Sequence, residues 1–215
     1  MNKIAVFDVS GAVYYGTLGF SKTNDDYYGF PIAGMRALMS RSAIELAAGR
    51  KIAFAFDTRS VKKNWYEGYK ANRTPNRNVS AQIEFLFEFL MKIGLPCVKV
   101  DGFEADDVIS WYAEDYSDED LLIYSNDHDV AHNVHDSIRM KPFKTSDVII
   151  CQSNYHTVLT YKFRSHIWPI EFNTINAYKV FCGCSSDGIP KFRSSLGFIT
   201  ETIYQRYVRF LRENN

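Results

Sequence analysis

Two short apolar runs, IAVFDV at Ile4–Val9 and IAFAF at Ile52–Phe56, each deliver an aspartate at or beside their carboxyl end, Asp8 and Asp57. Runs of this length and near-continuous apolarity suit strands buried on both faces, which is the condition of a parallel sheet covered by helices. PCVKV supplies a third strand candidate, DLLIYS a fourth that runs into NDHDV, and SIRMKPF a fifth. Helical spacing fills the intervals. It runs from Ile32 to Ala48, through SAQIEFLFEFLMKIG with Ser80 as cap and Gly94 as stop, and through DGFEADDVISWYAEDY. The expectation is an α/β fold with a central, largely parallel sheet flanked by helices, which binds ligands beyond the carboxyl ends of its strands.

The acids fall at that edge. Asp8, Asp57, Asp127 and Asp129 each follow a predicted strand, so carboxylates from three distant segments meet in one place. Glu104, Asp106 and Asp107 crowd the first turn of a predicted helix, and Asp187 in CSSDGIP is a further candidate. Singly, each has an ordinary explanation as a turn former, a cap or a solvated first turn. Together they would repel one another unless cations neutralised them. The donors are all hard oxygens, which favours Mg2+, with Mn2+ as substitute, over zinc. A pair of such ions about 4 Å apart suits phosphodiester hydrolysis. His128, His132 and His135 receive no role, and Cys97, Cys151, Cys182 and Cys184 lack zinc-site spacing.

Lys plus Arg equals Asp plus Glu at 25 each, so net charge points to no partner, but the distribution does. Arg59, Lys62, Lys63, Lys70, Arg73 and Arg77 face a single acid, Glu67, in a polar stretch that also carries Tyr66 and Tyr69. Rings interleaved with cations suit stacking on bases and gripping phosphates. The stretch reads as an exposed connection. Val148–Pro169 gives no clear period, EFNTINAYKVFCG reads as helix, and a last helix is expected from about Thr200 to Leu211. No linker or repeat divides the 215 residues, so one domain over 1–215 is expected. No run is long enough to span a bilayer and no cleavage signal opens the chain, which reads as cytoplasmic with reduced thiols.

These residues resemble the 5′ nuclease superfamily, which includes flap endonucleases, phage 5′→3′ exonucleases and the 5′ nuclease domain of bacterial DNA polymerase I. The resemblance runs through FDVSGAVYY, FAFDTRSVKKNWYEGYKANRTP, GFEADDVI, SNDHDVAHNV and GCSSDGIP, with GFEADDVI and YEGYKANRTP the most specific. It implies a PIN-like nuclease fold with a helical arch over 58–77. One metal would be held mainly by Asp8, Asp57, Glu104, Asp106 and Asp107, and a second approached by Asp127, Asp129 and Asp187. It implies that Lys70 and Arg73 act on the scissile phosphate and that Tyr66 or Tyr69 stacks on a base. Implied partners are DNA with 5′ ends, flaps or branches, and RNA of RNA–DNA hybrids, cut by a monomer in a bacterial or phage-infected cytoplasm.

The chain departs from the family pattern in two places. Cys184 stands where the family usually has an acid, which implies a weaker second metal site. KFRSSLGFIT keeps only Gly197 of the usual glycine-rich turn, which implies a reduced helix-hairpin-helix element over 183–215. Two other functions stay open: a binder of 5′-ended nucleic acid with weakened catalysis, and a single-strand ribonuclease on a PIN-like scaffold.

Overall fold

The computed structural model describes residues 1–19, 26–27, 30–74, 76–143, 148–163, 166–172, 174–184, 187–190 and 200–214. In chain order the elements begin β1 (Lys3–Asp8), α1 (Val9–Gly19), β2 (Asp26–Tyr27), β3 (Phe30–Pro31), α2 (Ala33–Ala47), β4 (Lys51–Phe56), α3 (Lys62–Trp65) and α4 (Arg77–Lys92). They continue with β5 (Cys97–Lys99), α5 (Ala105–Asp115), β6 (Asp120–Tyr124), a 3-10 helix (His128–Asn133) and β7 (Ile138–Lys141). The last are α6 (Tyr155–Val158), β8 (Thr160–Phe163), β9 (His166–Pro169), α7 (Ile175–Cys182) and α8 (Thr200–Asn214). Where the sequence reads as one domain, these residues pack as two compact units, Met1–Ser60 with Pro75–Cys151 and Val61–Thr74 with Gln152–Asn215.

The first unit is built on a five-stranded sheet in the order β5-β4-β1-β6-β7, every neighbouring pair parallel. This is the expected α/β architecture. Alternation along the strands assigns the core: Ala5, Phe7, Ile52, Phe54, Phe56, Leu122 and Tyr124 pack with α1, α2 and α4 in one cluster. The intervening Ile4, Val6, Ala53, Ala55, Leu121 and Ile123 are buried too, and α5 packs against β1, β4 and β5. Register locks this core, because Phe7 lies opposite both Phe54 and Tyr124. Its ring stacks on theirs at 5.4 and 4.6 Å. Each such pair contributes about 1 kcal/mol beyond area burial.

The helix expected to start at Ser80 begins instead at Arg77. The reason is local: the Asn76 side chain accepts from the N–H groups of Asn78 and Val79 at 3.1 and 3.3 Å, capping the helix before Ser80 is reached.

The second unit contains the antiparallel β8–β9 hairpin, α6, α7 and α8, and its centre is aromatic. The rings of Tyr161, Tyr178 and Tyr204 meet at 4.8 to 5.6 Å, and the Tyr204 hydroxyl bonds Thr174 at 2.7 Å. The segment expected as a helical arch carries one four-residue helix, α3, followed by turns through residue 72. Tyr66 is extended, with φ −145 and ψ 107. Asn64, Gly68, Asn72 and Pro75 are weak helix formers, and no apolar stripe there rewards a longer helix. Much of the expected C-terminal element, KFRSSLGFI, lies outside the described residues.

Candidate active site

The period of two in the strands decides which side chains meet at the sheet's carboxyl edge. Asp8 ends β1 on the face shared by Ile4 and Val6, the face covered by α5. Asp57 follows β4 with the parity of Ala53 and Ala55, and Ser125 follows β6 with the parity of Leu121 and Ile123. All three therefore turn toward the start of α5. Asp57 accepts the Ala105 N–H of that helix at 2.7 Å, and Ser125 donates to Asp8 at 2.8 Å.

Asp8 is buried and also accepts the Gly11 N–H at 2.8 Å, so the carboxylate folds over the first turn of α1. Gly11 leaves room for this bond, since a Cβ there would stand 2.4 Å from Asp8 Oδ2 and push the carboxylate aside. The same Ser125 hydroxyl accepts the Asp127 N–H at 3.0 Å, and Asp127 accepts that of Asp129 at 3.0 Å. On α5, Glu104 is the buried N-cap residue, and Asp107 accepts its N–H at 2.9 Å, one half of a reciprocal capping box. Oxygens of Glu104, Asp106 and Asp107 lie within 4.8 Å of one another.

Electrostatics follow from this convergence. Burial pushes the Asp8 carboxyl up to about 7, and the charges of Asp57 and then Asp127 add to the effect against the lowering by Gly11 and Ser125. The donors that hold it are neutral. A carboxylate so placed gives up its proton more readily when a cation is near, and the all-oxygen donor set fits a hard divalent ion. Asp8, Asp57, Glu104, Asp106, Asp107, Asp127 and Asp129 thus fall in one contact network of the first unit.

Asp187 belongs to the second unit and has a different setting. Its carboxylate receives Arg73 Nη2 at 3.0 Å, Lys179 Nζ at 3.4 Å and the Cys184 thiol at 3.1 Å. Burial alone would raise its pKa, but the Cys184 bond and the charges of Lys179, Lys70 and Arg73 outweigh it and hold the carboxyl below its ordinary value. The backbone closes the same contact. Lys70, at φ +53, donates its N–H to the Asp187 carbonyl at 2.9 Å, and the Tyr66 hydroxyl donates to the Gly188 carbonyl at 3.2 Å. Gly188, at φ +72, permits this approach, for a Cβ there would lie 2.2 Å from the Gly68 carbonyl oxygen.

The basic residues divide between the units. Arg59 and Arg77 are exposed in the first, whereas Lys62, Lys63, Tyr66, Tyr69, Lys70 and Arg73 lie in the second. There the ammonium groups of Lys70 and Lys62 sit 5.0 and 6.0 Å from the centre of the Tyr69 ring. Sequence reasoning missed Ser125, Gly11 and Lys179. The first was visible in principle, as the hydroxyl residue that ends DLLIYS, but Lys179 carries no local signal in its helix. His132 lies against the Asp129 carbonyl and the Ser110 hydroxyl.

Residues 6–160 match the model of the family described as 5′-3′ exonuclease, N-terminal resolvase-like domain. A DNA polymerase I of Caldicellulosiruptor bescii is 32% identical over 144 residues, which are 65% of this chain and 16% of the polymerase. A 5′-3′ exonuclease of Buchnera aphidicola is 29% identical over 200 residues, 87% of this chain and 65% of that protein. The chain thus spans less than two thirds of these relatives' length. Among solved structures, the D15 protein of phage T5 co-crystallised with metal ions aligns with a TM-score of 0.69 at 15% identity, covering 95% of this chain and 75% of that one. A T5 D15 flap endonuclease complex with DNA and metal ions aligns at 0.61 and 17% identity, covering 88% and 70%. At such identities these two likenesses speak for the fold.

Proposed function

This chain belongs to the 5′-3′ exonuclease family, and on that premise we propose that it is a divalent-metal-dependent 5′ nuclease that hydrolyses phosphodiester bonds of DNA. The observation that carries the reading is the convergence of Asp8, Asp57 and Asp127 at the ends of three adjacent parallel strands, with Asp8 held protonation-prone by burial and by its acidic neighbours. Such a site attracts hard cations. Asp8, Asp57, Glu104, Asp106 and Asp107 would hold one Mg2+, with Asp127, Asp129 and Asp187 serving a second, and Mn2+ would substitute. Bound there, the ions would supply Lewis acidity for the phosphoryl oxygens and would activate water at neutral pH.

The side chains do the rest. Gly11 and Ser125 orient Asp8, Ala105 orients Asp57, and Asp107 ties the site to the start of α5. Lys70 and Arg73 would bind the scissile phosphate, Tyr66 or Tyr69 would stack on a base, and Arg59, Lys62, Lys63 and Arg77 would follow the strand. Substrates in this reading are 5′ ends, flaps or branches of DNA, and RNA of RNA–DNA hybrids, engaged by a monomer in the cytoplasm. The relatives named as 5′-3′ exonuclease and flap endonuclease support the substrate class.

The test is cleavage of a 5′-labelled flap with Mg2+, Mn2+ or EDTA. Products with either metal and none in EDTA are expected; tight binding without cleavage in every metal would end the enzyme reading. A second reading, a 5′-end binder of weakened catalysis, is favoured by one observation: Asp187 is engaged by Cys184, Arg73 and Lys179. Cys184→Asp separates the two, since restored cleavage in an inert parent would support the binder.

A further inference from the structure

A pocket of about 330 Å3 opens in the second unit between the β8–β9 hairpin and α8, a volume at the lower end of the range for small-ligand sites. Tyr204 and Val208 of α8 are buried beneath it, and Tyr161 of β8 meets Tyr204 edge-on at 5.6 Å. Trp168 of β9 stands at its wall, 42% exposed, and its indole makes no ring contact with any described residue. The pocket is also polar in a specific way. Gln205 lines it, and its Nε2 is buried without a hydrogen-bond partner among the described residues.

The rim is cationic. Arg212 is paired with Glu171, whereas Arg209 is exposed and makes no hydrogen bond or ion pair to a described residue. An apolar floor, an open indole face, an uncommitted amide and an uncommitted guanidinium select for one kind of ligand. It must be planar, offer a hydrogen-bonding edge and carry an anion beside the ring. A lipid offers no such edge, and a bare phosphate leaves the floor and the indole unused. A nucleotide meets every condition.

We propose that this pocket takes one unpaired nucleotide of a single strand, its base stacked on Trp168 and hydrogen-bonded to the Gln205 amide, and its phosphate paired with Arg209. The inference rests on the nucleic-acid reading above and adds to it a strand contact outside the basic segment at 59–77. It assigns to α8 and the hairpin a grip that reads base and backbone of a single strand.

The experiment is binding of a fluorescently labelled single-stranded oligodeoxynucleotide to the full chain in EDTA, read by anisotropy, with a set of oligonucleotides that carry one abasic site at successive positions. Trp168→Ala should weaken binding about tenfold, in line with the loss of one stacked base. Trp168→Phe should recover most of that loss, and Arg209→Ala should lower the slope of log affinity against log salt by about one contact. One abasic position should weaken the wild type and leave Trp168→Ala unaffected. Both alanine variants change exposed side chains, and circular dichroism checks their fold. Wild-type binding that both alanine variants retain in full would overturn the pocket while leaving the nuclease reading in place. Failure of the wild type to bind any oligonucleotide and to cut a flap would overturn both.

Discussion

Asp8 in the first unit and Asp187 in the second are both buried aspartates in contact with backbone and side-chain donors, yet their carboxyls shift in opposite directions. Asp8 is bonded by two neutral donors and faces Asp57 and Asp127. Asp187 is met by Arg73, Lys179 and a thiol. Burial penalises both anions, Asp8 more deeply than Asp187, and at Asp187 the neighbours reverse the sign. Asp8 thus keeps company with anions and neutral donors, whereas Asp187 receives its counter-charge from the chain itself. The difference teaches that acids drawn from motifs of one family can sit in opposite fields: what surrounds each determines how strongly it calls for a further cation.

Removing the charge at Asp8 should break the comparison most visibly. Asp8→Asn is expected to reduce flap cleavage about a hundredfold to a thousandfold, the scale of losing central electrostatic machinery, while raising the melting temperature of the metal-free protein; unchanged cleavage would remove Asp8 from the site. The next effect is on pH. Because the folded pKa of Asp8 lies near 7, above the ordinary 3.8, the folded state binds more protons than the unfolded one between these values. Its contribution to metal-free stability is therefore lost as pH rises from about 4 to 7, by roughly a few kcal/mol. Thermal melts in EDTA across that range should show the fall, and Asp8→Asn should flatten it.

Asp187→Asn should have the reverse sign. It leaves Lys179 and Arg73 without their partner and should cost about 1–3 kcal/mol in urea unfolding at neutral pH. The carboxyl is held below its ordinary value, so this contribution fades only as pH falls below about 4. A stabilised Asp187→Asn protein would show that the two regions are alike after all. The smallest change is expected for Arg73→Ala, where the side chain is 48% exposed and the pair is worth under about 1 kcal/mol. Cleavage should fall further than stability does; equal losses would make Arg73 a structural residue only.

The sheet and its acidic edge were legible in the sequence because both depend on local patterns. A near-continuous apolar run such as IAFAF marks a doubly covered strand, and the residue that ends it lies at the edge whatever the rest of the chain does. Asn76 displaced Ser80 as a cap because its side chain takes the N–H groups of Asn78 and Val79 one turn earlier, which leaves the Ser80 hydroxyl inside the helix bonding the Asn76 carbonyl, and spacing alone ranks two such polar residues poorly. The partners of Asp187 were not legible. Arg73 lies 114 residues away, and no periodicity links them. The β8–β9 hairpin escaped notice for a related reason: Arg164 and Ser165 between its strands lack the Asn-Gly chemistry that announces a tight turn. The second unit draws on two separated stretches, so composition showed no boundary.

The stack of Phe54, Phe7 and Tyr124 across β4, β1 and β6 bears on the chemistry from the far side of the sheet. Adjacent strands in any sheet lie about 4.8 Å apart, close to the separation of about 4 Å at which paired ions share a phosphate. Rings that forbid the strands to slip therefore fix the interval between the tips that carry Asp57, Asp8 and Ser125. The backbone's own hydrogen-bond repeat acts as the ruler for the carboxylates. Loops around such an edge are free to lengthen, shorten or exchange residues without recalibrating it.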